Sequence, residues 1–164
     1  MNNILNVDLS FIKNEYFKKT IIQYIKKIFT LDYTIEGILL FGSVAKETAR
    51  DDEEYISDID LIVVAWNLIE DLWKRNDEVF KSTINLSSDI QALWWTPEEI
   101  QKNVETKFYL VLDALDDGKI LYDPNNFLYE LKKKLKKELK EKGVVKTEMY
   151  WQWPIKKFGD YIEF

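Results

Sequence analysis

The sequence predicts an α/β domain, and three observations carry that reading. Short apolar runs of strand length alternate with longer segments whose apolar residues recur every three or four positions. One run, Leu61-Ile62-Val63-Val64, is apolar on both faces, as a central strand covered from both sides requires. The chain is also 46% hydrophobic and 15% aromatic over 164 residues, which is enough for one proper core and one domain, 1–164.

From the N-terminus, Leu9 to Leu31 reads as an amphipathic helix. Ile12, Tyr16, Phe17, Ile21, Ile25, Ile28 and Phe29 lie on one face, and Lys18, Lys19, Lys26 and Lys27 point elsewhere. Tyr33 to Phe41 is a strand that stops at Gly42-Ser43, with Ser43 to Ala49 as a short helix. Asp58 to Trp66 is the second strand. Asn67 to Lys81 follows as a helix with Leu68, Leu72, Trp73, Val79 and Phe80 as its stripe. In the third strand, Asn85 to Trp95, alternation groups Asp89, Gln91 and Leu93 on one face and Ser88, Ile90, Ala92 and Trp94 on the other. Thr96-Pro97-Glu98-Glu99 is a helix start with a capping box, which accounts for both glutamates without chemistry.

Thr106 to Leu115 is a helix closed by Asp117-Gly118. Lys119 to Tyr122 is a short strand and Asp123-Pro124 a turn. Phe127, Leu128, Leu131, Leu135 and Leu139 then line a helix ending at Gly143. Its lysines, 132–134, 136, 137 and 140, form the one dense basic cluster, read as a solvated face, with an electrostatic track as the alternative. The aromatic tail, from Val144 through Tyr150, Trp151, Trp153, Phe158 and Tyr161 to Phe164, is expected to pack as a final strand and lid.

Composition removes several chemistries. The chain has no cysteine and no histidine, so disulfides, thiolate or imidazole metal sites, and Ser-His triads are all excluded. Carboxylates remain as metal ligands and bases. A net charge of −6 argues against a broad nucleic-acid surface. No apolar run approaches membrane-span length and no signal-peptide layout is present, so cytoplasmic residence is expected.

The chain is organised around Gly37-Ile38-Leu39-Leu40-Phe41-Gly42-Ser43 and Ser57-Asp58-Ile59-Asp60-Leu61. Period-2 alternation puts Asp58 and Asp60 on one face of a strand at its polar end. Two such charges about 4 Å apart repel by roughly 4 kcal/mol at an effective dielectric near 20. A hard divalent cation answers that repulsion, and Mg²⁺ usually brings a phosphate substrate with it. Gly42 lets backbone approach a ligand closely, the N–H groups at Ser43 suit phosphate, and Lys46 adds a cation nearby.

This pairing resembles the nucleotidyltransferase domain of the DNA polymerase β superfamily, and more closely the small stand-alone minimal nucleotidyltransferases of prokaryotes. The likeness is strongest over about residues 33–97 and looser through a C-terminal helix and strand region, 119–164. It implies a mixed β-sheet flanked by helices, with Asp58, Asp60 and Asp89 as catalytic carboxylates holding two Mg²⁺ ions, and Asp89 also accepting the acceptor's proton. Gly42, Ser43, Lys46 and Ser57 would bind the phosphates of ATP or another NTP. It also implies a role like that of antitoxins that neutralise HEPN-type toxins by binding them or adding AMP to them. The sequence departs from the family in two places: Glu47 stands where relatives carry glycine, and the interval from Thr48 to Tyr55 is longer and more acidic, a candidate lid or partner contact whose Asp51, Asp52, Glu53 and Glu54 read as a solvated run. Two other functions fit the same residues. One is a catalytically weak or inactive nucleotide- or protein-binding subunit, and the other is an antibiotic-type small-molecule nucleotidyltransferase.

Overall fold

The computed structural model describes residues 7–86, 88–148, 150–155 and 157. Its two most apolar runs, Thr34–Phe41 (β1) and Ile59–Trp66 (β2), pair antiparallel with Phe41 opposite Asp60. Ile90–Trp95 (β3) joins β2 in parallel, and Lys119–Tyr122 (β4) joins β1 antiparallel. The result is a mixed four-stranded sheet of order β3-β2-β1-β4, the α/β architecture expected from the sequence.

Because strand side chains alternate, the sheet presents two apolar faces. Ile38, Leu40, Ile59, Leu61 and Val63 pack on one side with helix Glu15–Ile28 (α1). Leu39, Ile62 and Val64 pack on the other with Pro97–Glu105 (α4), Tyr109–Asp117 (α5) and Phe127–Glu141 (α6). Leu72–Thr83 (α3) lies between β2 and β3 in the chain and supplies Val79 to the first core. A hairpin of Val145–Lys146 (β5) and Trp151–Gln152 (β6) follows α6, with Trp151 and Trp153 packed against the second core. Phe158, Tyr161 and Phe164 lie outside the described residues.

Several element boundaries differ from the sequence expectation, each for a local reason. α1 begins at Glu15 rather than Leu9, because the Asn14 side chain accepts the N–H groups of Tyr16 and Phe17 and fixes the start there. Leu9 and Ile12 are buried all the same, so the apolar period runs on past the end of the helix. α3 begins at Leu72, where Asp71 caps it, after Asn67 turns the chain at φ 62°. Its expected apolar stripe is corrected: Leu72, Trp73 and Phe80 are exposed, and the buried positions are Arg75 and Val79. Arg75 forks onto Glu99 at 2.7 and 3.1 Å and donates to the carbonyls of Ile69 and Trp94. β3 starts at Ile90, five residues later than expected, which leaves Asp89 in the turn before it.

Among the described residues no helix is long and apolar enough to cross a membrane.

Candidate functional site

The polar sequence features meet at one end of the sheet, where β1 finishes and β2 and β3 begin. Gly42 sits at φ 71°, the left-handed region that glycine tolerates best, and opens the four-residue helix Gly42–Ala45 (α2). A Cβ built on Gly42 would stand 2.1 Å from Asp60 Oδ2, so the turn lies directly against that carboxylate. Only a residue without a side chain permits this approach.

α2 ends in a Schellman closure. The N–H of Thr48 bonds to the Ser43 carbonyl at 3.0 Å and that of Glu47 to the Val44 carbonyl at 3.3 Å. The closing residue of this motif takes a left-handed conformation, and Glu47 does so at φ 58°. The glycine that relatives are expected to carry is therefore absent in identity but retained in backbone shape.

Asp58 and Asp60 stand together. Burial raises the carboxyl of Asp60 above its usual value, and the neighbouring charge of Asp58 pushes it the same way. Gln91, opposite Asp60 in the parallel pair, donates its side-chain amide to Asp58 Oδ2 at 2.8 Å. A cation would relieve the mutual repulsion and the desolvation together, so this donor set fits a hard divalent ion with oxygen ligands.

Asp89 precedes β3 beside Asp58, its carbonyl accepting the Ile59 N–H at 2.7 Å. Its carboxylate accepts a hydrogen bond from the Tyr16 hydroxyl, at the first turn of α1. Among the described residues no three acidic side chains stand as a group able to hold a metal. The structure thus brings Asp60 to Gly42 and Asp58, while the Asp89 carboxylate is held toward α1.

Ser57 is buried, and its hydroxyl accepts the Arg50 N–H at 2.8 Å while its own N–H bonds back to the Arg50 carbonyl. It closes the base of the acidic interval. Within that loop Asp51 bridges Ile56, and Asp52 takes two nitrogens of Arg50 and caps Glu54 and Tyr55. Residues 51–56 are all exposed, as a solvated charge run should be. Lys46 pairs with Asp117 at 2.8 Å on the α5 side.

That pair belongs to a cluster that the sequence reading missed. Lys146 on β5 meets Asp113, Asp116 and Asp117 at 3.2, 3.1 and 2.7 Å. Burial works against both charges, but hydrogen bonds from Lys146 and Lys46 hold Asp117 down at about 2, and the three carboxylates raise Lys146 to about 12. The available signal was the spacing of the three aspartates on one helical face, i, i+3 and i+4. Tyr16 and Gln91 were also missed, since one reads as part of an apolar stripe and the other as an ordinary strand residue.

The family model for polymerase beta nucleotidyltransferases matches residues 23–127. No curated protein matches the sequence. Similar solved structures include a toxin–antitoxin complex with AMP-PNP, at 18% identity over 76% of this chain and 87% of that one, with a TM-score of 0.48. A MntA–HepT toxin–antitoxin structure shares 14% identity over 79% and 93%, at 0.40. The tri-AMPylated Shewanella oneidensis HEPN toxin in complex with MNT antitoxin shares 15% over 79% and 92%, at 0.39.

Proposed function

The chain belongs to the polymerase β nucleotidyltransferase family, and on that premise we propose that it transfers a nucleoside monophosphate, AMP from ATP, to an acceptor hydroxyl with Mg²⁺ bound. The observation that carries this is the approach of Gly42 to Asp60: the glycine turn and the carboxylate pair form one surface rather than two unrelated features.

In this reading the N–H groups and hydroxyl at Gly42 and Ser43 bind the β- and γ-phosphates. α2 has only four residues, so these local donors rather than an aligned helix dipole do the holding. Lys46, shared with Asp117, adds positive charge beside them. Asp58 and Asp60 would hold Mg²⁺, and Asp89 would be a third ligand once released from the Tyr16 hydroxyl. Bound there, Mg²⁺ neutralises charge on the phosphates and lowers the pKa of the attacking hydroxyl. Asp89 accepts the proton of that hydroxyl. Ser57 supports the pair by closing the loop that delivers Asp58.

The acceptor we propose is a hydroxyl on a partner protein of the HEPN type, following the motif resemblance to stand-alone members. The test is incubation with Mg²⁺, α-labelled ATP and a purified HEPN-type protein, the product of the neighbouring gene being the first candidate. Label should move to the partner and be lost with Asp60→Asn. An unlabelled partner, with no Mg²⁺-ATP shift in melting temperature, refutes the proposal. A nucleotide-independent binding subunit is the second reading, favoured by the Tyr16–Asp89 hydrogen bond that engages one of the three carboxylates. It predicts partner binding unaffected by Asp60→Asn.

A further inference from the structure

We propose that Tyr16 is an acceptor for the chain's own reaction, so that the protein nucleotidylylates itself in cis on this phenol. The inference rests on the nucleotidyl-transfer reading above and deepens it by naming one substrate hydroxyl.

Three adjacent strand ends present the parts in sequence. Gly42 follows β1, Asp58 precedes β2 and Asp60 lies near its start, and Asp89 precedes β3. Neighbouring strands are roughly 4.8 Å apart, so the row from the glycine turn to Asp89 spans about 10 Å. A triphosphate seated at Gly42 and Ser43 and running along that row carries its α-phosphorus toward Asp58 and Asp89. Beyond Asp89 stands the Tyr16 hydroxyl, which donates to the Asp89 carboxylate from the α1 side of the sheet.

Tyr16 is suited to this in ways the other hydrogen-bonded tyrosines are not. Tyr24 is buried, accepts from Trp94 Nε1, and is raised to about 12 by burial. Tyr33 donates to Glu78 and precedes β1, at the other end of that strand from Gly42. Tyr16 is 37% exposed, which leaves a path for nucleotide, and it stands in a fixed first turn. Asn14 caps that turn and also donates its amide to Asp51 at 2.8 Å, tying α1 to the acidic loop.

The step balances without a further reactant. The Tyr16 oxygen attacks the α-phosphorus of ATP, and a phenol–phosphorus ester forms. The bond from the α-phosphorus to the bridging oxygen breaks, pyrophosphate leaves with that electron pair, and the phenolic proton passes to Asp89.

The test incubates the full chain alone with Mg²⁺ and α-labelled ATP, followed by intact mass, peptide mapping and a Mg²⁺-ATP melting shift. One AMP per chain is expected on the peptide carrying Tyr16. The rate constant should not change with protein concentration, and Tyr16→Phe should remove the label while keeping the melting shift. Tyr109→Phe, at an exposed tyrosine, should leave labelling unchanged. Label that survives Tyr16→Phe, or labelling whose rate constant rises with concentration, overturns the proposal. So does an unlabelled wild-type chain. In that case a retained melting shift leaves the general transfer reading standing, and an absent one removes both.

Discussion

Gly42→Ala separates the two roles of the glycine turn. Its ideal Cβ would sit 2.1 Å from Asp60 Oδ2, and ordinary contact begins at 3.4 Å, so 3.4 − 2.1 = 1.3 Å must be found. The carboxylate is the end of a side chain and can rotate away, so little of that displacement costs folding energy. The backbone cost is the left-handed conformation, about 1–2 kcal/mol for a residue with a Cβ, less about 0.4–1 kcal/mol from a stiffer unfolded chain. A net loss of about 1 kcal/mol corresponds to roughly 2–4 °C in melting temperature. Function should suffer far more, because misplacing a reacting group by about 1 Å costs about 100-fold. The assay is initial pyrophosphate release from Mg²⁺-ATP with acceptor, beside a thermal melt. A small melting change with a rate fall near 100-fold is expected. Unchanged kcat in a variant that melts as expected refutes the claim that this contact positions Asp60.

Glu47→Gly should stabilise by about 0.5 kcal/mol, since relief of the left-handed strain outweighs glycine's entropy and the lost Lys13 pair is exposed; a urea midpoint that falls contradicts this. Lys107→Gly, at the same backbone conformation, should instead destabilise by about 2 kcal/mol, because the buried Lys107 ammonium bonds to Glu138 and to the Val104 carbonyl; equal effects at the two sites would show that backbone shape alone decides. Folding lowers Asp117 from 3.8 to about 2, so the unfolded chain binds more protons there, and this contribution is full above 3.8 and lost as pH falls toward about 2. Lys146, raised from 10.5 to about 12, contributes fully below 10.5 and loses it as pH rises through about 12. Each is worth on the order of 1 kcal/mol after screening, and Lys146→Met should flatten both limbs of the melting profile.

The central fold was legible because β1 and β2 carry short runs of β-branched and leucine side chains, bounded by Gly42 after one and by Asp58 before the other. The capping box of α4 and the glycine closure of α6 were legible for the same reason, since each signal is local. Boundaries failed where a local cap overrode a longer apolar period, as Asn14 does for α1 and Asp71 for α3. Arg75 failed differently: its burial depends on Glu99 and the Trp94 carbonyl, both far away in sequence, beside the nearer Ile69 carbonyl. At the site, the Gly42–Asp60 contact follows from the motif, whereas the Tyr16 hydroxyl and the Gln91 amide reach their carboxylates only through tertiary packing.

The backbone exchange between Arg50 and Ser57 works as a clasp at the neck of the acidic excursion. Whatever lies beyond the clasp can lengthen, shorten or change charge without pulling on Asp58 or shifting β2 against β1. Extra residues at this point are therefore a replaceable attachment, save for Asp51, which the Asn14 amide ties to α1.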